Sequence, residues 1–232
     1  KVFPEFKPFF DGRFSATALY ILTHYQSPEK IANMNAKSYE ALRKKSRGKF
    51  SMVKFAQLKT LAKNTVGRSD AFLLKQMEIT IDIENQLDAK IDEIESQILE
   101  CIRALNPPIL TIPGIGELTA AIILSEYGNI NKFENPAQLL SFAGLEPGYY
   151  QSGLAEHQGH MVKHGSSHLR YALMNACLPL ITYEPVFAEY YAKKRAEGKP
   201  HRVALTHVAK KLLRVIFTLQ TKNISYDPTL IR

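Results

Sequence analysis

The chain has 232 residues, 45% of them hydrophobic and 22% charged, a composition that supports the core of one large domain or two small ones. Lys and Arg number 30 against 22 Asp and Glu, a formal charge of +8 with a pI of about 9.3, which suits a polyanionic partner, nucleic acid before anionic membrane. Two lone cysteines, Cys101 and Cys177, exclude a disulfide scaffold and a Cys/His zinc finger and fit a reducing compartment, and no apolar run approaches the roughly 20 residues a bilayer span needs.

No stretch reads as a signal peptide, and the start at Lys1 rather than Met leads us to expect part of a longer polypeptide. Val2-Phe3-Pro4-Glu5-Phe6-Lys7-Pro8-Phe9-Phe10 is too rich in proline for a regular helix, and its aromatics are expected to pack against the rest of the molecule or a preceding domain. Ser15 to Tyr25 reads as a short helix carrying Leu19, Ile21 and Leu22. Ser27-Pro28 pairs an N-cap serine with proline at N1, Ala36 to Lys45 forms a further helix, and Phe50 to Asn64 another. Between the last two lie Arg43, Lys44, Lys45, Arg47 and Lys49, with Lys54, Lys59 and Lys63 following at helical spacing. This basic run is either a solvated helix face or a strip that contacts phosphates.

From residue 69 to residue 105 apolar residues alternate steps of three and four: Leu73, Met77, Thr80, Glu84, Leu87, Ile91, Ile94, Ile98, Cys101 and Leu105, eight of the ten apolar. No Gly or Pro interrupts them, Ser69-Asp70 can cap the start, and the outer face is acidic. The pattern predicts a long amphipathic helix with a coiled-coil seam, paired either with another molecule or within the chain. Pro107-Pro108 then stops it.

Ile112-Pro113-Gly114-Ile115-Gly116 has the form of a hairpin between two helices, the second running from Thr119 to Tyr127. Gly114 and Gly116 permit a tight turn and close approach to a ligand, and N–H groups at the following helix start suit a phosphate oxygen. The stretch resembles the helix-hairpin-helix motif of DNA repair and recombination proteins, which implies backbone binding without sequence preference. The plain alternative is an αα-hairpin that needs glycine only for tightness. Asn135-Pro136 opens a helix through Phe142, Gly144 to Gly159 is expected to be a loop, and Ser166 to Leu178 a helix. Val186 to Glu197 and His201 to Leu219 follow as helices around the turn Gly198-Lys199-Pro200, and the tail from Lys222 is expected to fray. Lys193, Lys194 and Arg195 gather beside that turn, with Tyr190 and Tyr191 either core residues or stacking platforms.

Ser152, in Gln151-Ser152-Gly153, is a loop serine free of crowding. Serine needs activation to act as a nucleophile, and His157, His160, Lys163, His164 and His168 are near in sequence. Arg170 presents a fork suited to a phosphodiester and Lys163 a point charge. His164 and His168 lack a third ligand, so no metal site is expected within this chain.

Leu139 to Pro147, then Gln151-Ser152-Gly153, then Val162-Lys163-His164-Gly165-Ser166-Ser167-His168-Leu169-Arg170-Tyr171-Ala172-Leu173 resembles the C-terminal domain of the insertion-sequence-110 family of transposases, mobile-element recombinases guided by a bridge RNA. The resemblance implies that Ser152 is the nucleophile, forming a phosphoserine intermediate with DNA, with Lys163, Gly165 and Arg170 among the groups at the nucleic acid. The family more often has Lys-Arg-Gly where this chain has Lys163-His164-Gly165. It also implies an N-terminal RuvC-like domain whose acidic residues bind Mg²⁺. No match to those acids is found here, so the chain is expected to carry only the serine half of a composite site.

These readings define a mainly α chain in three parts: a helical segment over 1–68, the long helix over 69–106, and a serine transposase domain with a helix-hairpin-helix over 107–232. The site residues are Ser152 for catalysis, and Gly114, Gly116, Lys163, Gly165, Arg170, Lys193, Lys194 and Arg195 for nucleic acid. The partners are DNA, a structured guide RNA, and further copies of the chain in a dimer or tetramer through the long helix, with no membrane. The resemblance implies a cytoplasmic, nucleoid-associated protein of a bacterium or archaeon. The alternative is a DNA- or RNA-binding module without catalysis that oligomerises through the long helix.

Overall fold

The chain is mainly α-helical, with one β-hairpin, in the computed structural model, which describes all residues except 12–14, 69, 153–154, 162–163 and 232, and the backbone alone within 147–161 and 230–231. It divides into two compact units, residues 1–92 and 93–232.

In the first unit the helices are α1 (Phe6–Phe9), α2 (Ala16–Tyr25), α3 (Pro28–Ala32), α4 (Ala36–Lys45) and α5 (Met52–Lys63). The starts of α2 to α5 have a local cause. Ser15 accepts from the Ala18 N–H, Ser27 from Lys30 and Ser51 from Lys54, while Asn35 and Ser38 cap each other's backbone reciprocally. The single turn of α1 corrects the expectation of no helix near Pro8. A proline in the first helical turn gives up an N–H that has no intrahelical partner there. α5 starts at Met52 rather than Phe50, because Ser51 takes the cap and Phe50 is a buried anchor ahead of it. Phe6, Ile21, Ile31, Met34, Leu42, Phe50, Phe55 and Leu58 form the core of this unit, with α3 packed on α5 and α2 on α4.

α6 (Ala71–Leu105) is one uninterrupted 35-residue helix. Asp70 caps it, its Oδ1 accepting from the Leu73 N–H at 2.8 Å, while Ser69 lies outside the described residues. Along the predicted seam Leu87, Ile91 and Ile94 are 58%, 52% and 54% exposed. Ile81 and Ile102, off the seam, are buried instead.

The second unit continues with a 3₁₀ turn (Pro108–Thr111), α7 (Glu117–Tyr127), a 3₁₀ turn (Ile130–Lys132), α8 (Pro136–Phe142), strands β1 (Pro147–Ser152) and β2 (Ala155–Met161), α9 (Ser167–Tyr183), α10 (Pro185–Ala196), α11 (His201–Lys222) and a last 3₁₀ turn (Pro228–Ile231). Its core lies between α9 and α11. Leu169, Leu173, Ala176, Cys177 and Leu180 belong to the same buried cluster as Leu205, Val208, Leu212 and Ile216, and α7 and α10 pack against α9.

Three expectations are corrected here. The expected loop over 144–159 holds an antiparallel hairpin, with Tyr149 opposite Gln158 and Ser152 opposite Ala155; only Tyr149-Tyr150-Gln151 hinted at it, and the glycine- and histidine-rich second strand has no apolar alternation. α9 runs past Leu178 to Tyr183 with Pro179 inside it, because burial of Cys177 and Leu180 on either side outweighs the one backbone bond proline removes. The tail does not fray at Lys222: the Tyr226 N–H donates to Thr111 Oγ1 at 2.7 Å, and the Tyr226 side chain packs on the core.

Candidate nucleic-acid and phosphodiester site

The turn ahead of α7 is anchored from below by Ile109, Ile112 and Ile115, all buried. Its two glycines have different surroundings. Gly114 has φ +86, and a Cβ there would stand 2.9 Å from the carbonyl carbon of Pro179 in α9, so both the backbone conformation and the approach of α9 require glycine. Gly116 is the N-cap of α7 with ordinary φ and nothing within 4 Å of where its Cβ would be. It has no side chain to cap the first N–H groups of α7, which leaves an open helix start. Glu117, at the first position of α7, is held there by a two-pronged bond: Arg103 Nε donates to Oε1 at 2.8 Å and Nη2 to Oε2 at 2.7 Å. Hydrogen bonding from Arg103 holds the Glu117 carboxyl below its ordinary pKa. A 3₁₀ turn, Pro108–Thr111, stands where the first helix of the expected hairpin was placed.

The segment that carries Ser152 leaves and re-enters the unit through a glycine-lined neck. α8 ends in a Schellman motif: the Leu145 N–H donates to the Leu140 carbonyl at 3.0 Å and Gly144 to Ser141 at 2.8 Å, with Gly144 at φ +63. The Ala143 carbonyl then accepts from Arg170 Nη1 at 3.0 Å. A Cβ on Gly144 would meet the His164 carbonyl oxygen at 2.4 Å and Arg170 Nη1 at 2.5 Å. Gly165 is equally confined, with φ +110 and its Cβ position 2.3 Å from the Phe142 carbonyl oxygen. Ser166 closes the neck: its N–H donates to that same carbonyl at 2.8 Å, and its hydroxyl donates to Glu126 at 2.6 Å while accepting from Leu169 N–H to start α9.

The structure therefore brings Gly165 and Arg170 together with Gly144 and His164. Ser152 is the last residue of β1, on the hairpin that springs from this neck; Gly153 and Lys163 lie outside the described residues. Beside the neck is a cavity of about 480 Å³ lined by Phe133, Gln138, Ser141, Phe142, Glu146 and His164. Lys132 lies over the rings of Phe133 and Phe142, at 5.1 and 5.2 Å. Sequence reasoning did not single out Lys132, Phe133 or Glu126. Their roles come from tertiary proximity, and only the Ser166 cap left a local signal.

Lys193, Lys194 and Arg195 sit elsewhere in this unit, at the end of α10, and two of them serve the turn itself. Lys194 pairs with Glu197 at 2.8 Å and lies over the Tyr190 ring, and Arg195 Nη1 donates to the Lys199 carbonyl at 2.8 Å. Lys193 is exposed. Tyr190 and Tyr191 are half-buried, and the Tyr191 hydroxyl bonds His201 Nδ1 at 2.7 Å, so these rings pack rather than stand free. Burial, then Lys210 and Lys194, push the pKa of His207 on α11 below its ordinary value.

Among the described residues no group of three or more His, Cys, Asp or Glu side chains could hold a metal ion. No helix among them is long and apolar enough to cross a membrane.

The neck, the hairpin and the helices that hold them fall within residues 106–192, which match the family described as "Transposase IS116/IS110/IS902 family". The matched stretch is less than half of the chain. A Streptomyces coelicolor protein, "Insertion element IS110 uncharacterized 43.6 kDa protein", is 32% identical over 136 residues, 58% of this chain and 34% of its own length. The "Pilin gene-inverting protein" of Moraxella bovis is 30% identical over 151 residues, 63% of this chain and 46% of its own length. The "Insertion element IS900 uncharacterized 42 kDa protein" of Mycobacterium paratuberculosis is 25% identical over 94% of this chain and 56% of its own length. The chain thus spans between about a third and somewhat over half of these relatives.

Proposed function

We propose that this chain is the serine-bearing part of a DNA transposase or recombinase of the insertion-sequence-110 type, with Ser152 as nucleophile on a DNA phosphodiester. The observation that carries the reading is the neck. Two left-handed glycines, an Arg170 guanidinium and the start of α9 hold the neck of a short hairpin whose first strand ends at Ser152, inside the stretch matched to a transposase family. A serine at the tip of a segment anchored at both ends is a fit place for a residue that must meet a large, rigid substrate.

In the step proposed, Ser152 Oγ attacks phosphorus, an Oγ–P bond forms, and the bond to the leaving sugar oxygen breaks. That oxygen takes the proton lost from the hydroxyl. Arg170 gives one N–H to the Ala143 carbonyl, and its other donors remain for a phosphate oxygen. Gly116 and the open start of α7 act as the backbone clamp of a helix-hairpin-helix. Lys163 adds positive charge, and Lys193 supplies a further phosphate contact. The acidic residues that would hold Mg²⁺ belong, on this reading, to a domain outside these residues. A guide RNA would carry the target sequence, and the exposed seam of α6 would join copies of the chain into a dimer or tetramer.

The test uses a full-length protein that contains this chain, with Mg²⁺, its RNA and nicked DNA that traps an intermediate. An adduct that survives denaturant in the wild type and disappears in Ser152→Ala, while DNA binding persists, is the expected result. Equal adduct in both removes Ser152 from the chemistry. Tight binding with no adduct in either leaves a non-catalytic binding module as the better reading.

A further inference from the structure

The positive charge of this chain is not where the serine is. Residues 1–68 hold 14 Lys and Arg against 4 Asp and Glu, while the remaining 164 residues hold 16 against 18. The whole excess therefore lies in the first 68 residues. Within them the stretch 41–69 contains no acidic residue at all. Its cations are concentrated on one short piece of structure: Arg43, Lys44 and Lys45 in the last turn of α4, Arg47 and Lys49 in the turn that follows, and Lys54 in the first turn of α5.

All six side chains are exposed, and no ion pair is found for any of them among the described residues. The backbone beneath them is rigid. Arg47 and Gly48 turn the chain at φ +52 and +79, the Gly48 N–H donates to the Arg43 carbonyl at 2.8 Å, and Ser46 Oγ accepts from Phe50 N–H at 3.0 Å. Leu42, Phe50, Phe55 and Leu58 bury the inner side. Six unpaired cations on a fixed scaffold repel one another, a cost of about a few tenths of a kcal/mol for each close pair, unless a polyanion sits across them.

We infer that this surface, α4's end, the 46–51 turn and α5's start, binds the phosphate backbone of a nucleic-acid duplex. Three observations select a duplex backbone. The aromatic rings of the stretch, Phe50 and Phe55, are buried, so no stacking platform for unpaired bases is offered. The groups available are cations, the side chains that neutralise phosphates. Met52 and Val53, exposed beside Lys54, add only a small apolar knob of the size that fits a groove, whereas a membrane-binding helix needs a continuous apolar face, and Phe55, Leu58 and Ala62 turn that face of α5 inward. The inference stands apart from the chemistry proposed at Ser152.

The experiment measures binding of this chain to a DNA duplex and an RNA duplex of arbitrary sequence, the corresponding single strands, and phosphatidylserine vesicles, each across a salt series. The variant replaces Arg43, Lys44, Lys45, Arg47, Lys49 and Lys54 with Gln. Its helical circular dichroism is to match the parent and its thermal midpoint to be no lower, because every replaced side chain is exposed and the repulsion among them is relieved. Should it not fold, Arg47→Gln/Lys49→Gln/Lys54→Gln takes its place. The slope of log affinity against log salt becomes shallower by about 0.9 for each phosphate the variant no longer neutralises, and affinity for duplex at low salt falls by at least about tenfold. A greater loss on DNA or on RNA identifies the source of the duplex. Ser152→Ala binds as the parent does, which separates this surface from the proposed catalytic step. Unchanged slope and affinity on both duplexes overturns the inference. So does a loss confined to single strands or to vesicles, or a slope that disappears only when Lys193, Lys194 and Arg195 are replaced.

Discussion

At the scale of single residues, glycine does the positioning and charge does the tuning. Gly144 and Gly165 stand within van der Waals exclusion of the opposing backbone, at φ +63 and +110. Gly144→Ala would place its methyl against the His164 carbonyl and the Arg170 guanidinium, and would hold a left-handed conformation that costs an L-residue about 1–2 kcal/mol by itself. We expect a loss of at least about 2 kcal/mol in denaturant unfolding, with the adduct-forming activity of a full-length protein falling further than stability alone accounts for. Gly48→Ala is the control: its φ is also positive, but its Cβ would meet nothing, so its loss should stay near the conformational term. Equal losses at the two sites would remove the close packing of the neck from the account. Gly144 was not among the residues the sequence singled out, because its role depends on His164 and Arg170, which reach it only in three dimensions.

At the scale of elements, α6 carries the clearest expectation. A run of 35 residues without Gly or Pro, capped by Asp70, forms a helix whatever its surroundings, and the sequence shows this plainly. Leu87, Ile91 and Ile94 on its apolar seam are exposed. Burying a Leu or Ile side chain fully is worth about 1.5–3 kcal/mol, so a few seam positions in a paired helix supply enough to hold two copies together. We expect the chain to self-associate in sedimentation equilibrium and Ile91→Lys/Ile94→Lys to reduce it to a monomer with unchanged α9 and α11 packing. A parent chain that is monomeric at high concentration would sink this reading. The β-hairpin was the element least visible in advance, since its second strand lacks the period of two that marks a half-buried strand.

At the scale of the whole molecule, two hydrophobic cores share one chain. One gathers Phe6, Ile21, Leu42, Phe55 and Leu58, the other Leu169, Leu173, Leu180, Leu212 and Ile216, and no residue belongs to both. Independent cores predict independent melting. Calorimetry should show two transitions, and Leu173→Ala, a cavity in a fully buried site, should lower one of them by about 2–5 kcal/mol and leave the other in place. A single transition displaced as a unit would mean that the two cores unfold together. The division also separates two kinds of surface: the excess positive charge lies on residues 1–68, and the candidate serine site on the second unit.

What the amino-acid order determined by itself is what depends on neighbours in sequence. Ser15, Ser27, Asn35, Asn135 and Ser166 each start a helix through a bond to a backbone N–H no more than three residues on, so the helices and the mainly α class were legible from caps and apolar spacing. The Gln151-Ser152-Gly153 and Gly165-to-Arg170 motifs were legible for the same reason, as short strings. What only the tertiary structure decided is where these strings meet. Gly114 stands against α9 at Pro179, an approach that no short string announces. Pro179 reads as a helix end until the core on both sides of it is counted. In each case a local preference worth about a kcal/mol or a few is set against burial and close packing gathered from distant parts of the chain, and the larger sum wins.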